Sequence, residues 1–183
     1  MLRLCSNSPS RAKLLDDAKI EFIQSGVDFD EDAIKEQSAK SFVYKVAKGK
    51  YQKALQEFGS ELPILVADTV IEASSGEILR KAKDKEDAKK ILETISGNSI
   101  KIITASILKN KNLEFVDISS TSYIFASFEP DDLEQYLNSN EWQGKAGACM
   151  VEGFCKKYIQ KVDGLESNAM GLPVEKIKPW LEF

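Results

Sequence analysis

Leu62-Pro63-Ile64-Leu65-Val66-Ala67-Asp68-Thr69-Val70-Ile71 is the most apolar strand-like run of the chain, and it carries one carboxylate and one hydroxyl inside it. An ionised carboxylate withdrawn from water is tolerated only where it is paired, hydrogen-bonded or metal-bound. Asp68 in a strand interior therefore requires a cation nearby. The other reading ends the strand at Ala67 and lets Asp68-Thr69 open a turn; the apolar Val70-Ile71 that follows weighs against it.

With 183 residues, 43% of them hydrophobic, the chain can fill one core, or two lobes around a cleft, and residues 1–183 read as a single α/β domain. Cys5, Cys149 and Cys155 lack both zinc-site spacing and the even count of a disulfide framework, so they read as reduced, buried and structural. The start lacks an apolar signal segment and no later run is long enough to span a bilayer, which makes a cytoplasmic protein without membrane contact the expectation. Histidine is absent, which excludes histidine triads, histidine zinc sites and a histidine base. A net charge of -4 offers no general basic face for nucleic acid, although a local basic pocket for a small polyanion remains possible.

Outward from Asp68, Leu2 to Cys5 reads as a strand running into a helix that Ser8-Pro9 caps and that carries Leu14, Leu15 and Ala18. Ile20 to Gln24 reads as a strand, Asp28 to Asp32 as an acidic loop, and Ile34 to Phe58 as a long helix. Ser74-Ser75-Gly76 turns the chain into Ile78-Leu79, and Asp84 caps a helix stopped by Ser96-Gly97. Ile100 to Leu108 and Leu113 to Phe125 read as an antiparallel hairpin, and Pro130 to Leu137 as a short helix. From Trp142 the chain is glycine-rich, a sign of close backbone approach.

Several groups could carry chemistry. Ser6, Ser8 and Arg11 sit at a helix N-terminus, where phosphate binds, but an ordinary cap with a surface arginine reads equally well. A helical projection places Lys50 within the stripe of Val43, Val46, Ala47 and Ala54, either snorkelling to solvent or reaching into a cleft. Two carboxylates, Asp68 and one from the acidic loop, could hold Mg²⁺ or Mn²⁺, with Lys81 and Lys145 neutralising phosphate. Taken singly, each lysine reads as a surface residue.

In order, Ser6-x-Ser8-Pro9-x-Arg11, the Asp-x-Asp-Glu31 loop, Ala47-x-x-Lys50, Ala67-Asp68-Thr69-Val70, Lys81, Ser96-Gly97, Lys145-Ala-Gly-Ala148, Glu152-Gly153 and Asn168-x-x-Gly171-Leu-Pro173 resemble the Maf family over nearly the whole chain. The resemblance implies a mixed, mostly antiparallel twisted sheet with flanking helices and two lobes around a deep cleft, similar to inosine triphosphate pyrophosphatases. It implies a house-cleaning nucleoside triphosphate pyrophosphatase that uses a divalent metal (Mg²⁺ or Mn²⁺, with Co²⁺ also an option), and a possible homodimer. Asp68 is then the catalytic acidic residue, acting as proton acceptor toward the attacking water or through the metal and supported by Glu31, and the two are the metal ligands. Ser8, Arg11, Lys50 and Lys81 line the triphosphate, with Thr69, Lys145 and Glu152 also substrate-binding.

Ser10 stands where many relatives have an arginine, and Arg80 stands where glycine is usual, so Arg80 is expected to replace the lost charge across the cleft. Glu152 resembles the branch preferring 7-methyl-GTP, whereas Lys145-Ala-Gly-Ala148 resembles the dTTP and UTP branch; pyrimidine nucleotides, including modified ones, are the expected substrates. The rival readings are a non-catalytic nucleotide-binding regulator of cell division and a purine-directed inosine triphosphate pyrophosphatase relative.

Overall fold

Residues 1–181 are described by a computed structural model. Its elements are β1 (Leu2–Leu4), α1 (Pro9–Asp17), β2 (Phe22–Gln24), α2 (Ala39–Phe58), β3 (Ile64–Ala73), β4 (Ile78–Leu79), α3 (Lys85–Ile95), β5 (Ser99–Lys109), β6 (Glu114–Phe125), α4 (Pro130–Ser139), β7 (Ile159–Asp163), α5 (Glu166–Ala169) and α6 (Val174–Ile177). The sheet runs β2-β1-β3-β5-β6-β7, with β4 on the edge of β3. β2, β1 and β3 are mutually parallel and the other pairings are antiparallel, so the sheet is the mixed, mostly antiparallel one expected.

β3 is the central strand, which is why its sequence is an almost unbroken apolar run: helices cover both of its faces. Val66 and Val70 face α2, meeting Val43, Val46, Ala47 and Ala54. Leu65 and Ala67 face the other way, onto Leu14 and Leu15 of α1 and Ile177 of α6. Farther along, Ile71 and Ala73 enter a third cluster with Leu92 of α3 and Leu137 of α4. Asp68 and Thr69 lie inside the strand, opposite Ala105 and Thr104 of β5, so the turn reading is set aside.

The expected hairpin forms along its whole length, from Ser99 opposite Ile124 to Lys109 opposite Glu114. The helix expected from Ile34 begins instead at Ala39, with Ser38 at its N-cap, and residues 31–33 make a separate 3-10 turn capped by Asp30. Ile34 extended the apolar pattern because it packs against the α2 cluster without being helical. β7 and the short helices α5 and α6 were not expected. β7 is an edge strand with four of five residues exposed, so it lacks the alternation that betrays a half-buried strand.

Candidate functional site

The site occupies a gap in the sheet. β1 pairs with β3 only as far as Leu4 opposite Leu65, and β4 takes up the same edge at Ile71 opposite Leu79. Between them Val66–Val70 have no strand on that side, and a cavity of about 500 Å³ opens there, at the end of the parallel strand. Open α/β sheets place ligands at such switch points, outside the carboxyl ends of strands. Ser6 to Arg11, Val27 to Phe29, Glu31, Lys50, Ala67 to Thr69, Lys81, Gln143 to Ala146, Cys149 and Glu152 contribute to its wall.

Strand alternation divides the two polar residues of β3. Asp68 shares the α2 face with Val66 and Val70 and is 3% exposed. Lys50, at the helical spacing foreseen, sends its Nζ to donate to Asp68 Oδ1 and to Glu31 Oε1, each at 2.7 Å. Its side chain is only 12% exposed, so it reaches into the cleft rather than out to solvent. Glu31 arrives through a contact the sequence did not reveal: Phe29 lies on Gly49 of α2, where an added Cβ would be 2.2 Å from the ring. Only glycine lets the acidic loop lie that close.

Burial pushes the Asp68 carboxyl above the ordinary carboxylate range; Lys50 opposes this and Glu31 reinforces it. Burial pushes Glu31 up as well, but Lys50 and Lys81 together outweigh it and hold Glu31 below that range. The two carboxylates around one ammonium are thus driven apart in proton affinity, Glu31 downward and Asp68 upward. Asp68 Oδ2 is buried without a partner among the described residues.

On the opposite face, Thr69 meets Arg11. The buried guanidinium donates through Nε to Gly171 O (2.8 Å), through Nη1 to Ser6 Oγ (3.0 Å) and through Nη2 to Thr69 Oγ1 (3.1 Å). Thr69 Oγ1 lies 2.9 Å from Thr104 Oγ1, which donates to Asn168 O. Gly171 has φ +104°, and a Cβ there would come 3.2 Å from Arg11 Nε, so both conformation and space call for glycine. Three of Arg11's five N–H groups are thereby fixed and two remain for a ligand. Sequence reasoning passed over Thr104. The signal was the same as for Asp68, a polar side chain inside an apolar strand.

Of the other expected residues, Ser8 caps α1 by accepting from Arg11 N and borders the cavity. Lys81 borders it too, with Nζ 3.5 Å from Glu31 Oε1. Lys145 Nζ donates to Ser10 Oγ and to Glu152 Oε1, both at 3.1 Å. Arg80 is the one expected residue that does not line the cavity. Its guanidinium donates to Asp32 Oδ1 at 2.7 Å and lies over the Phe42 ring, 4.9 Å from the centroid, outside the cavity wall. Lys145, not Arg80, brings a cation to Ser10.

The donor set suits a hard divalent cation held partly by substrate. Glu31 and Asp68 are oxygen ligands on one ammonium, and the orphaned Asp68 Oδ2 has a lone pair to give. Among the described residues no group of three or more His, Cys, Asp or Glu gathers as a metal cage. Mg²⁺ commonly takes one or two carboxylates and completes its shell with phosphate and water.

A second hollow, about 410 Å³, lies over β3, β5, β6 and β7 around Glu72, Lys101, Lys161 and Asp163. None of those four ionisable residues is buried.

Known proteins resemble this chain over nearly its whole length. The nucleoside triphosphate pyrophosphatase of a Nitratiruptor species is 56% identical over 179 residues, covering 97% of this chain and 96% of its own. The nucleoside triphosphate pyrophosphatase of Helicobacter pylori (strain Shi470) is 37% identical, with 95% and 91% covered. That of Campylobacter jejuni subsp. jejuni serotype O:23/36 (strain 81-176) is 34% identical, with 99% and 100% covered. The family model described as Maf-like protein matches residues 1–182, and the chain belongs to the Maf family.

Proposed function

We propose that this chain is a nucleoside triphosphate pyrophosphatase, adding water across the α–β phosphoanhydride to release a nucleoside monophosphate and pyrophosphate. The observation that carries this reading is the buried Asp68–Lys50–Glu31 constellation on one cavity wall, with Arg11 anchored on the other. Relatives named for the same activity support it.

Asp68 accepts the proton of the attacking water; burial raises its proton affinity, which suits a proton acceptor. Lys50 holds Asp68 and Glu31 in register. The free N–H groups of Arg11, together with Lys81 and the Ser8 cap of α1, bind the triphosphate and stabilise charge that builds on its oxygens. Glu31 and Asp68 are the residues that would hold a divalent cation, Mg²⁺ or Mn²⁺ with Co²⁺ as an option, which would neutralise phosphate charge and polarise water.

At the far end, Lys145 and Glu152 set a donor beside an acceptor. That pair complements adjacent C=O and N–H groups on a base edge, which thymine and uracil present. We therefore favour pyrimidine nucleotides, including modified ones, as substrates of a house-cleaning enzyme in the cytoplasm that works as a homodimer. The carboxylate of Glu152 favours a second reading: guanine also offers C=O beside N–H and adds an amino donor, which suits 7-methyl-GTP. Pyrophosphate release from a panel of ordinary and modified nucleoside triphosphates with Mg²⁺, Mn²⁺ and Co²⁺ separates these. Tight nucleotide binding without pyrophosphate would instead make the chain a binding regulator.

A further inference from the structure

We propose that Cys149 and Cys155 form a reversible disulfide, which makes the segment between them a redox-modifiable part of the cavity wall. Both thiols are free and buried, and their Sγ atoms are 2.9 Å apart. A disulfide spans about 2.05 Å, so bonding closes the gap by less than ~1 Å. The ends of the segment are held. Tyr136 Oη donates to Ala148 O at 2.9 Å, its ring stacks on Phe154 with centroids 4.4 Å apart, and Cys155 N donates to Met150 O. Ordering the two thiols therefore costs little further chain entropy.

The pair is reachable from one side only. Cys149 lies on the cavity wall and is 7% exposed, whereas Cys155 is fully enclosed among aromatic residues. A hydroperoxide entering the cavity meets Cys149 first. The Cys149 thiolate displaces water from hydrogen peroxide once the departing hydroxide is protonated, giving a sulfenic acid. Cys155 sulfur then attacks that sulfur, its proton leaves with the departing hydroxyl as a second water, and the S–S bond forms. In balance, two thiols and one peroxide give one disulfide and two waters. The hydrogen bond with Cys155 and burial raise the Cys149 pKa, so the thiolate is scarce and the reaction slow, set against a resolving thiol already in contact.

Glu152 sits midway along the segment, paired with Lys145. Drawing the two sulfurs together displaces Glu152 against Lys145 and leaves the Asp68 end of the cavity untouched. This consequence rests on the nucleotide reading above; the bond itself does not. The test is peptide mass mapping of the reduced full-length protein after hydrogen peroxide and alkylation. The expected result is an intramolecular link between Cys149 and Cys155, two hydrogens lighter, with Cys5 alkylated and the link lost in dithiothreitol. Oxygen added to Cys149 without a link, a link to Cys5 or between chains, or two alkylated cysteines overturns the proposal. In the cross-linked protein a several-fold rise in nucleotide KM with little change in kcat, reversed by dithiothreitol, is expected; an unchanged KM overturns the coupling to Glu152. Mapping needs no nucleotide, so its failure is distinct from failure of the pyrophosphatase reading.

Discussion

Replacing Lys50 by methionine keeps the length and packing of the side chain and removes the one ammonium that Asp68 and Glu31 share. Removing one partner of a buried ion pair costs about 3–5 kcal/mol, because the remaining charge is left uncompensated. Asp68 is almost fully buried but the Glu31 side chain is 25% exposed, so the lower end, about 3 kcal/mol, applies. The cost depends on pH, with a definite sign. Glu31 has a lowered pKa in the fold, so its contribution is present above its unfolded pKa and lost as pH falls; Lys50 is the chief source of that lowering. Asp68 has a raised pKa, so its ionisation burdens the fold increasingly as pH rises, and more so once Lys50 is gone. K50M should therefore be destabilised by about 3 kcal/mol near pH 8 and by clearly less near pH 5, because acid favours the protonated form of Asp68. Urea unfolding of both proteins at the two pH values measures this. An equal loss at both, or less than about 1 kcal/mol near pH 8, would refute the shared-ammonium account.

Asp68→Asn keeps an acceptor for Lys50 while removing the buried charge, so pyrophosphate release should fall by about 10²–10⁴-fold with no loss of thermal stability near neutral pH; parallel loss of both would point to a structural role. Arg11→Lys cannot satisfy Gly171, Ser6 and Thr69 together, and kcat/KM should drop by about 10²-fold, read from initial rates. Gly49→Ala would gain up to about 1 kcal/mol in an ordinary helix, but here the Cβ meets Phe29, so lower stability and a higher KM are expected in melting and kinetic assays. Arg80→Ala should change triphosphate KM no more than Lys13→Ala, a change at an exposed surface cation, because Asp32 and Phe42 hold the Arg80 side chain outside the cavity.

The central strand was legible because its residues answer to local rules. A run buried on both faces must be apolar, so a carboxylate within it announced a partner, and helical periodicity put Lys50 on the apolar stripe of α2 while leaving open whether it snorkelled to solvent or reached into the cleft. The hairpin and the cap at Ser8 were legible for the same reason. What stayed hidden depends on contacts between distant parts of the chain. β7 is exposed on most of its length and carries no pattern, and Lys145 meets Ser10 across 135 residues of sequence. The place of Arg80 is set by Asp32 and Phe42, neither of them its neighbour in the chain.

Product analysis of purified protein with a nucleoside triphosphate and Mg²⁺ tests the central claim most directly. The account predicts monophosphate and pyrophosphate in equal amounts, and near-complete loss of both products in D68N under the same conditions. Nucleoside diphosphate with orthophosphate, or undiminished pyrophosphate release by D68N, would contradict it.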